Sequence, residues 1–228
     1  MPTPPDITNA PDLAGIAAAA ELVAAGHRAL RDALAPGVTE RELWAAADGA
    51  MRAVTGGPVE AGVDLMAGSR TALIGEPPTD RPVAAGDPVL FDLAPRRDGW
   101  WADSCATVCC GRPSAALRRR HDAVRTALEA GLAAARPGVR AAVVDTAIRA
   151  ALDRFFLTCP HHTGHGVGAQ AQQPPWLNPG VDTVLEAGAV IALEPGAYAD
   201  GFGVRLEHLA VVEHGGARPL TTHSLELT

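Results

Sequence analysis

The stretch Ala187–Phe202, AGAVIALEPGAYADGF, repeats Ala85–Trp100, AGDPVLFDLAPRRDGW, at a constant offset of 102 residues. Asp92 falls on Glu194, Asp98 on Asp200, Gly99 on Gly201 and Trp100 on Phe202. Each copy reads as an apolar strand interrupted by one acid, a turn, and a return strand with a second acid, Asp103 in the first and Glu207 in the second. A carboxylate inside a strand patterned for burial must be paired or bound, because an isolated buried charge is far costlier than any single packing contact. Two such hairpins place four carboxylates in one core, and a cation between them is the simplest account.

The segments before each hairpin repeat too. An Ala/Leu-rich segment from Asp12 to Ala35 reads as an amphipathic helix, and Thr39 with Glu42 is a capping-box signal for a second helix to Val54. Gly56-Gly57-Pro58 ends it, and residues 59–82 mix short β-like runs with turns. After Gly111-Arg112-Pro113 the order returns. Ser114 caps a helix from Ala115 to Ala135, Arg136-Pro137-Gly138-Val139 mirrors Ala35-Pro36-Gly37-Val38, and a further helix runs to Phe155. The expected fold is α+β: two helix–helix–hairpin halves, residues 12–111 and 114–214, forming one pseudo-two-fold domain over 1–228 with helices outside a curved antiparallel sheet. Residues 1–10 read as a loose leader.

Composition narrows the class. At 228 residues with 47% hydrophobic and 20% charged residues, the chain is globular rather than disordered. It contains no lysine and carries a net charge of −7, which argues against a nucleic-acid partner. The one arginine cluster, Arg118–Arg120, is expected on a solvated helix face. The start, MPTPPDITN, lacks a signal peptide's basic and apolar regions, and no unbroken apolar run is long enough to span a bilayer. Cys105, Cys109, Cys110 and Cys159 lack metal-binding spacing and are expected as reduced, packed thiols. The expectation is a cytoplasmic protein with no membrane partner.

His165 lies between glycines in CPHHTGHGVG, in the segment that joins the two hairpins' halves. Asp92, Asp103, His165, Glu194 and Glu207 together offer four carboxylates and one imidazole. Structural zinc sites prefer Cys and His. An oxygen-dominated set instead suits Mn, Fe, Co or Zn in a catalytic pair, where two divalent metal ions acidify a water and polarise a carbonyl for amide hydrolysis. Asp98 and Asp200, each before Gly, are turn residues rather than ligands. Trp100, Trp101 and Trp176 suit either pocket lining or core packing.

The motifs FDLAPRRDGWWADS, HTGHGVG, ALEPG and GVRLEH, in this order, resemble the pita-bread metallopeptidases: methionine aminopeptidases, Xaa-Pro aminopeptidases, prolidases and their relative creatinase. The resemblance covers nearly the whole chain, without the separate N-terminal domain usual in Xaa-Pro enzymes. It implies that Asp92 holds one metal, that Asp103 and Glu207 bridge, and that His165 and Glu194 complete the second site, with Glu194 also carrying a proton. His161 and Arg205 match substrate-side positions of the Xaa-Pro branch. The substrate shell departs from the family. Gly75 stands where a histidine is usual, Gln172 replaces a second histidine, Gln173 replaces a glutamate, and Cys105-Ala106-Thr107 replaces Thr-Arg-Thr. The two missing histidines stabilise the oxyanion of the scissile amide in the family. Gln172 still donates a hydrogen bond but exchanges no proton near neutral pH. Three readings follow: an aminopeptidase or dipeptidase of unusual specificity, a metalloenzyme acting on a small non-peptide substrate (by hydrolysis of another C–N bond or by elimination), or a binding protein on the same scaffold. A homodimer is implied by fold analogy alone.

Overall fold

The computed structural model describes residues 12–228, and the leader read at residues 1–10 lies outside them. Helix α1 (Leu13–Ala33) starts where the Asp12 carboxylate accepts the Ala14 and Gly15 amides. Helix α2 (Glu40–Thr55) has the complete Thr39–Glu42 capping box and ends on Gly56 at φ 73°, a left-handed position open to glycine. Residues 59–82, read only as mixed runs and turns, form strand β1 (Glu60–Ala67), a 3-10 turn (Gly68–Ala72) and a loop. Strand β1 pairs antiparallel along its whole length with β2 (Pro88–Arg97), which also pairs with β3 (Trp100–Trp101) and β4 (Cys105–Cys109).

The second half repeats this order. Helix α3 (Ala115–Ala134) is capped by Ser114, and α4 (Ala141–Asp153) ends two residues before the expected Phe155. A five-stranded antiparallel sheet follows, ordered β11 (Gly216–Pro219), β10 (His208–Glu213), β7 (Val190–Leu193), β5 (Gly164–Gly166) and β6 (Gln173–Leu177), beside a hairpin of β8 (Gly196–Ala199) and β9 (Phe202–Arg205).

The repeat extends to individual hydrogen bonds. Gly37 donates to Val83 and Val83 to Val38, both at 2.8 Å; Gly138 donates to Leu185 at 2.9 Å and Leu185 to Val139 at 2.8 Å. Asp98-Gly99 and Asp200-Gly201 all have positive φ, so both pairs are turn residues as expected. Each half has its own apolar core, one around Leu43, Met51 and Phe91, the other around Leu128, Ile148 and Leu193. A third cluster, with Ile16, Val23, Val190 and Leu209, ties the halves together.

Two sequence expectations change. Arg120 is not on a solvated face: it is buried, donates to the carbonyls of Ala199 and Phe202 at 2.7 Å, pairs with Asp200 at 2.9 Å, and so pins the second hairpin's turn to α3. Its partners lie some eighty residues away, beyond any local pattern. Helix α1 is apolar and long enough, by length and composition, to cross a membrane, although charges interrupt its apolar run. In this fold its apolar face, including Ile16, Leu22 and Leu30, is buried against the rest of the chain.

Candidate metal centre

The strands part where the acids sit. Glu194 occupies the break between β7 and β8, Glu207 the break between β9 and β10, and Asp103 the gap between β3 and β4, so the second acids lie beside the return strands rather than within them. Asp92 alone remains inside a strand, opposite Asp64 of β1 and Cys105 of β4. These breaks divide the expected curved layer into two sheets and a hairpin. They are bridged by the Glu207 amide donating to the Cys105 carbonyl at 2.8 Å, which joins equivalent points of the two repeats.

His165 enters from β5, wedged between β7 and β6. A Cβ on Gly164 would lie 2.2 Å from the Ala192 carbonyl oxygen, and one on Gly166 would lie 2.4 Å from that of Pro174. Only glycine permits this approach. Gly164→Ala is therefore expected to cost about 3 kcal/mol or more, because the obstructing atoms are backbone. Denaturant midpoints check this; an unchanged midpoint would show that the strands can separate.

Five expected ligands converge. The His165 Nδ1 donates to the Gly166 carbonyl at 3.0 Å, which turns the lone pair of Nε2 toward Asp103 Oδ2 and Glu194 Oε1, each 3.5 Å away. Ligand atoms of Asp103, His165 and Glu207 lie within 4.8 Å of one another. Asp92, Asp103, His165, Glu194 and Glu207 share a pocket of about 250 Å³. Glu207 Oε1 is buried without a hydrogen-bond partner, while the contacts of Glu194 Oε1 are with the His162 and His165 rings. Such an orphaned oxygen is costly unless a cation takes it up. The residues therefore fit a divalent ion.

The charges agree. Burial, reinforced by Asp92 and Glu194, pushes the Asp103 carboxyl well above the usual range, and burial with Asp103 and Asp92 does the same to Glu207. Asp92 is pushed up to about 6 by burial, against the pull of Arg205. Burial also opposes the charge on Glu194, but His162, His165 and Arg205 outweigh it and hold that carboxyl below its ordinary value. Burial lowers the His165 pKa against the pull of Glu194, which favours the neutral imidazole that a ligand requires.

The expected substrate-side residues fare differently. The guanidinium of Arg205 is buried in the wall, where its terminal nitrogens pair with Asp92, with Asp64 at 3.3 Å and with the Tyr198 hydroxyl at 3.4 Å. His161 Nδ1 donates to the His162 carbonyl at 2.7 Å, while Nε2 meets the Tyr198 hydroxyl at 3.1 Å. Gln172 is exposed and lines the pocket beside Ala171. Gly75 is not among the lining residues; it has φ 77°, and a Cβ there would meet only Asp64 Oδ2, 3.9 Å away. Trp100 and Trp101 pack in the cluster between the halves, whereas the Trp176 ring lies 5.3 Å from that of His162 and 5.9 Å from that of His165. All four cysteines are free and buried.

Sequence reasoning missed Asp64, which interrupts the apolar run VDLM just as Asp92 interrupts its own strand. It also gave no role to His162, whose Nδ1 lies 3.1 Å from Glu194 Oε1. Behind the ligands, His27 stacks on His223 at 4.2 Å and reaches the hydroxyl of Ser104 at 3.0 Å, next to Asp103. No spacing rule connects residues 27, 104 and 223.

A duplicated α+β scaffold that sets three acids in strand breaks and a fourth, Asp92, within β2 around one buried imidazole has the architecture of a candidate metal centre. The chain belongs to metallopeptidase family M24, whose model matches residues 14–214. It is 34% identical over 204 residues to an Xaa-Pro dipeptidase of Lactobacillus delbrueckii subsp. lactis, covering 86% of this chain and 54% of the relative. It is 35% identical to methionine aminopeptidase 1 of Mycobacterium tuberculosis, covering 82% and 77%. Among solved structures it superposes on dipeptidase PepE from Mycobacterium ulcerans with a TM-score of 0.90 and 31% identity, over 95% of this chain and 59% of that one. The chain thus spans about half the length of the dipeptidase relatives.

Proposed function

We propose that the described chain acts as one catalytic domain, a hydrolase of an amide or other C–N bond in a short peptide or small molecule, dependent on two divalent cations. One observation carries this reading: the buried, unpartnered Oε1 of Glu207 in the pocket that Asp92, Asp103, His165 and Glu194 also line. Asp92, Asp103, His165, Glu194 and Glu207 would hold these ions. When bound, such ions supply Lewis acidity and acidify water. The side chains supply the rest. Glu194, held ionised by its neighbours, takes a proton from the attacking water and returns it to the leaving nitrogen. Gln172 offers its amide N–H to the developing oxyanion. Arg205 and His161, tied together through Tyr198, fix the wall beside Asp92.

A second reading, a small non-peptide substrate, is favoured by the two replaced histidines. Proton exchange is lost at Gln172, and the left-handed backbone at Gly75 disfavours any larger residue there. The expected outcome on a panel of Xaa-Pro and Met-Xaa peptides with the Mn-loaded chain is slow cleavage, raised at least tenfold by Gln172→His. Removing one oxyanion donor costs about 10²–10³ in rate, and Gln172 retains part of that contribution. Absence of any C–N hydrolysis across a broad substrate screen would sink the hydrolase reading. A cytoplasmic location and a homodimer are compatible with it.

A further inference from the structure

We propose that this site selects an amine-bearing substrate with no carboxylate close to the scissile bond, and that Asp64 sets the selection. The inference rests on the C–N hydrolase reading and names its substrate class. Four of the five carboxylates lining the pocket belong to the proposed ligand set, and their charge would be offset by two divalent ions. Asp64 is the fifth. Its side chain is 29% exposed, whereas that of its partner Arg205 is 4% exposed and also pairs with Asp92. The negative member of the pair thus faces the substrate and the positive member faces the protein. No arginine lines this pocket among the described residues, and the chain contains no lysine. Gly62, Val63, Ala94 and Ala171 add small, uncharged surface, and Gln172 adds a neutral amide. A substrate carboxylate would therefore meet Asp64 across low-dielectric space with no cationic side chain and only the neutral Gln172 amide as a donor, while an ammonium or a neutral amide would escape that repulsion.

The volume, about 250 Å³, equals about eight waters at their liquid volume, enough for a residue-sized group. The relatives named dipeptidases act by their printed names on dipeptides, which end in a carboxylate, so the inference sets this chain apart from them.

The experiment compares Ala-Ala-amide with Ala-Ala on the Mn-loaded full chain, by kcat/KM and by calorimetric binding. The expected result is at least a tenfold preference for the amide. Asp64→Asn is expected to bring the two within threefold, with the change appearing in KM, while Asp64→Glu retains the preference. Equal or better use of Ala-Ala by the unaltered chain overturns the inference and leaves the hydrolase reading standing. If neither compound is cleaved, hydrolysis of peptide amides fails, and the order of the two binding constants still decides the charge selection. Tighter binding of the amide upholds it and tighter or equal binding of Ala-Ala overturns it.

Discussion

Asp103→Ala and His165→Ala are each expected to release at least one divalent ion and to lower metal affinity more than a hundredfold. Mutation of residues that merely orient ligands typically costs about 10–100-fold in affinity or activity, and loss of a ligand atom exceeds that. Asp103 stands at the centre of the cluster, 3.5 Å from His165 Nε2 and within ligand reach of Glu207. On the proposed reading turnover is expected to fall with the metal, since metal ions would acidify the attacking water. Elemental analysis after Mn or Co loading and desalting checks the stoichiometry. Less than a tenth of an equivalent on the unaltered chain would remove the metal centre altogether. A second effect separates this from simple unfolding. Asp103 is buried among acids that raise its pKa, so in metal-free protein Asp103→Ala is expected to raise the melting temperature. Activity and metal-free stability should move in opposite directions, as they do where a site is built at a cost to the fold.

The stability gap between metal-loaded and metal-free protein is expected to widen as pH rises from about 4 to beyond 6. The carboxyls of Asp92, Asp103 and Glu207 are raised above their unfolded values. Between the two values the folded chain holds protons that the unfolded chain has released, so folding loses stability with rising pH. Asp92, raised to about 6 from an ordinary carboxylate value, accounts for about 3 kcal/mol of this loss. Bound cations remove the penalty by taking the place of the protons. The buried histidines work in the opposite direction. Burial depresses His27 strongly, His208 to about 4 and His223 to about 3, so their contribution is lost as pH falls below about 6.5. That loss is common to both forms and cancels in the gap. Parallel thermal scans from pH 4.5 to 7.5, with and without chelator, measure it. A gap independent of pH would mean that the acids are not held together by charge alone.

Much of the fold was legible in the chain because it is written twice. A local pattern that recurs with matched turns, Pro36-Gly37 and Pro137-Gly138, Asp98-Gly99 and Asp200-Gly201, is strong evidence for a repeated unit. Capping signals at Thr39 and Ser114 placed the helix starts within a residue or two, since capping is a short-range interaction. The candidate ligand acids stood out because each broke an apolar stretch, and His165 because glycines flank it on both sides.

What the chain by itself determined is the local inventory: helices, turns, and the five side chains that a metal centre would need. Only the tertiary structure decided which groups face one another. Arg120 is locked onto Asp200, Arg205 is shared between Asp64 and Asp92, and His27 backs Ser104 beside Asp103. The physical reason is that periodicity and capping report interactions within a few residues, whereas ion pairing and burial depend on contacts across the whole fold. Asp64 became a feature of the pocket only when β1 was laid against β2.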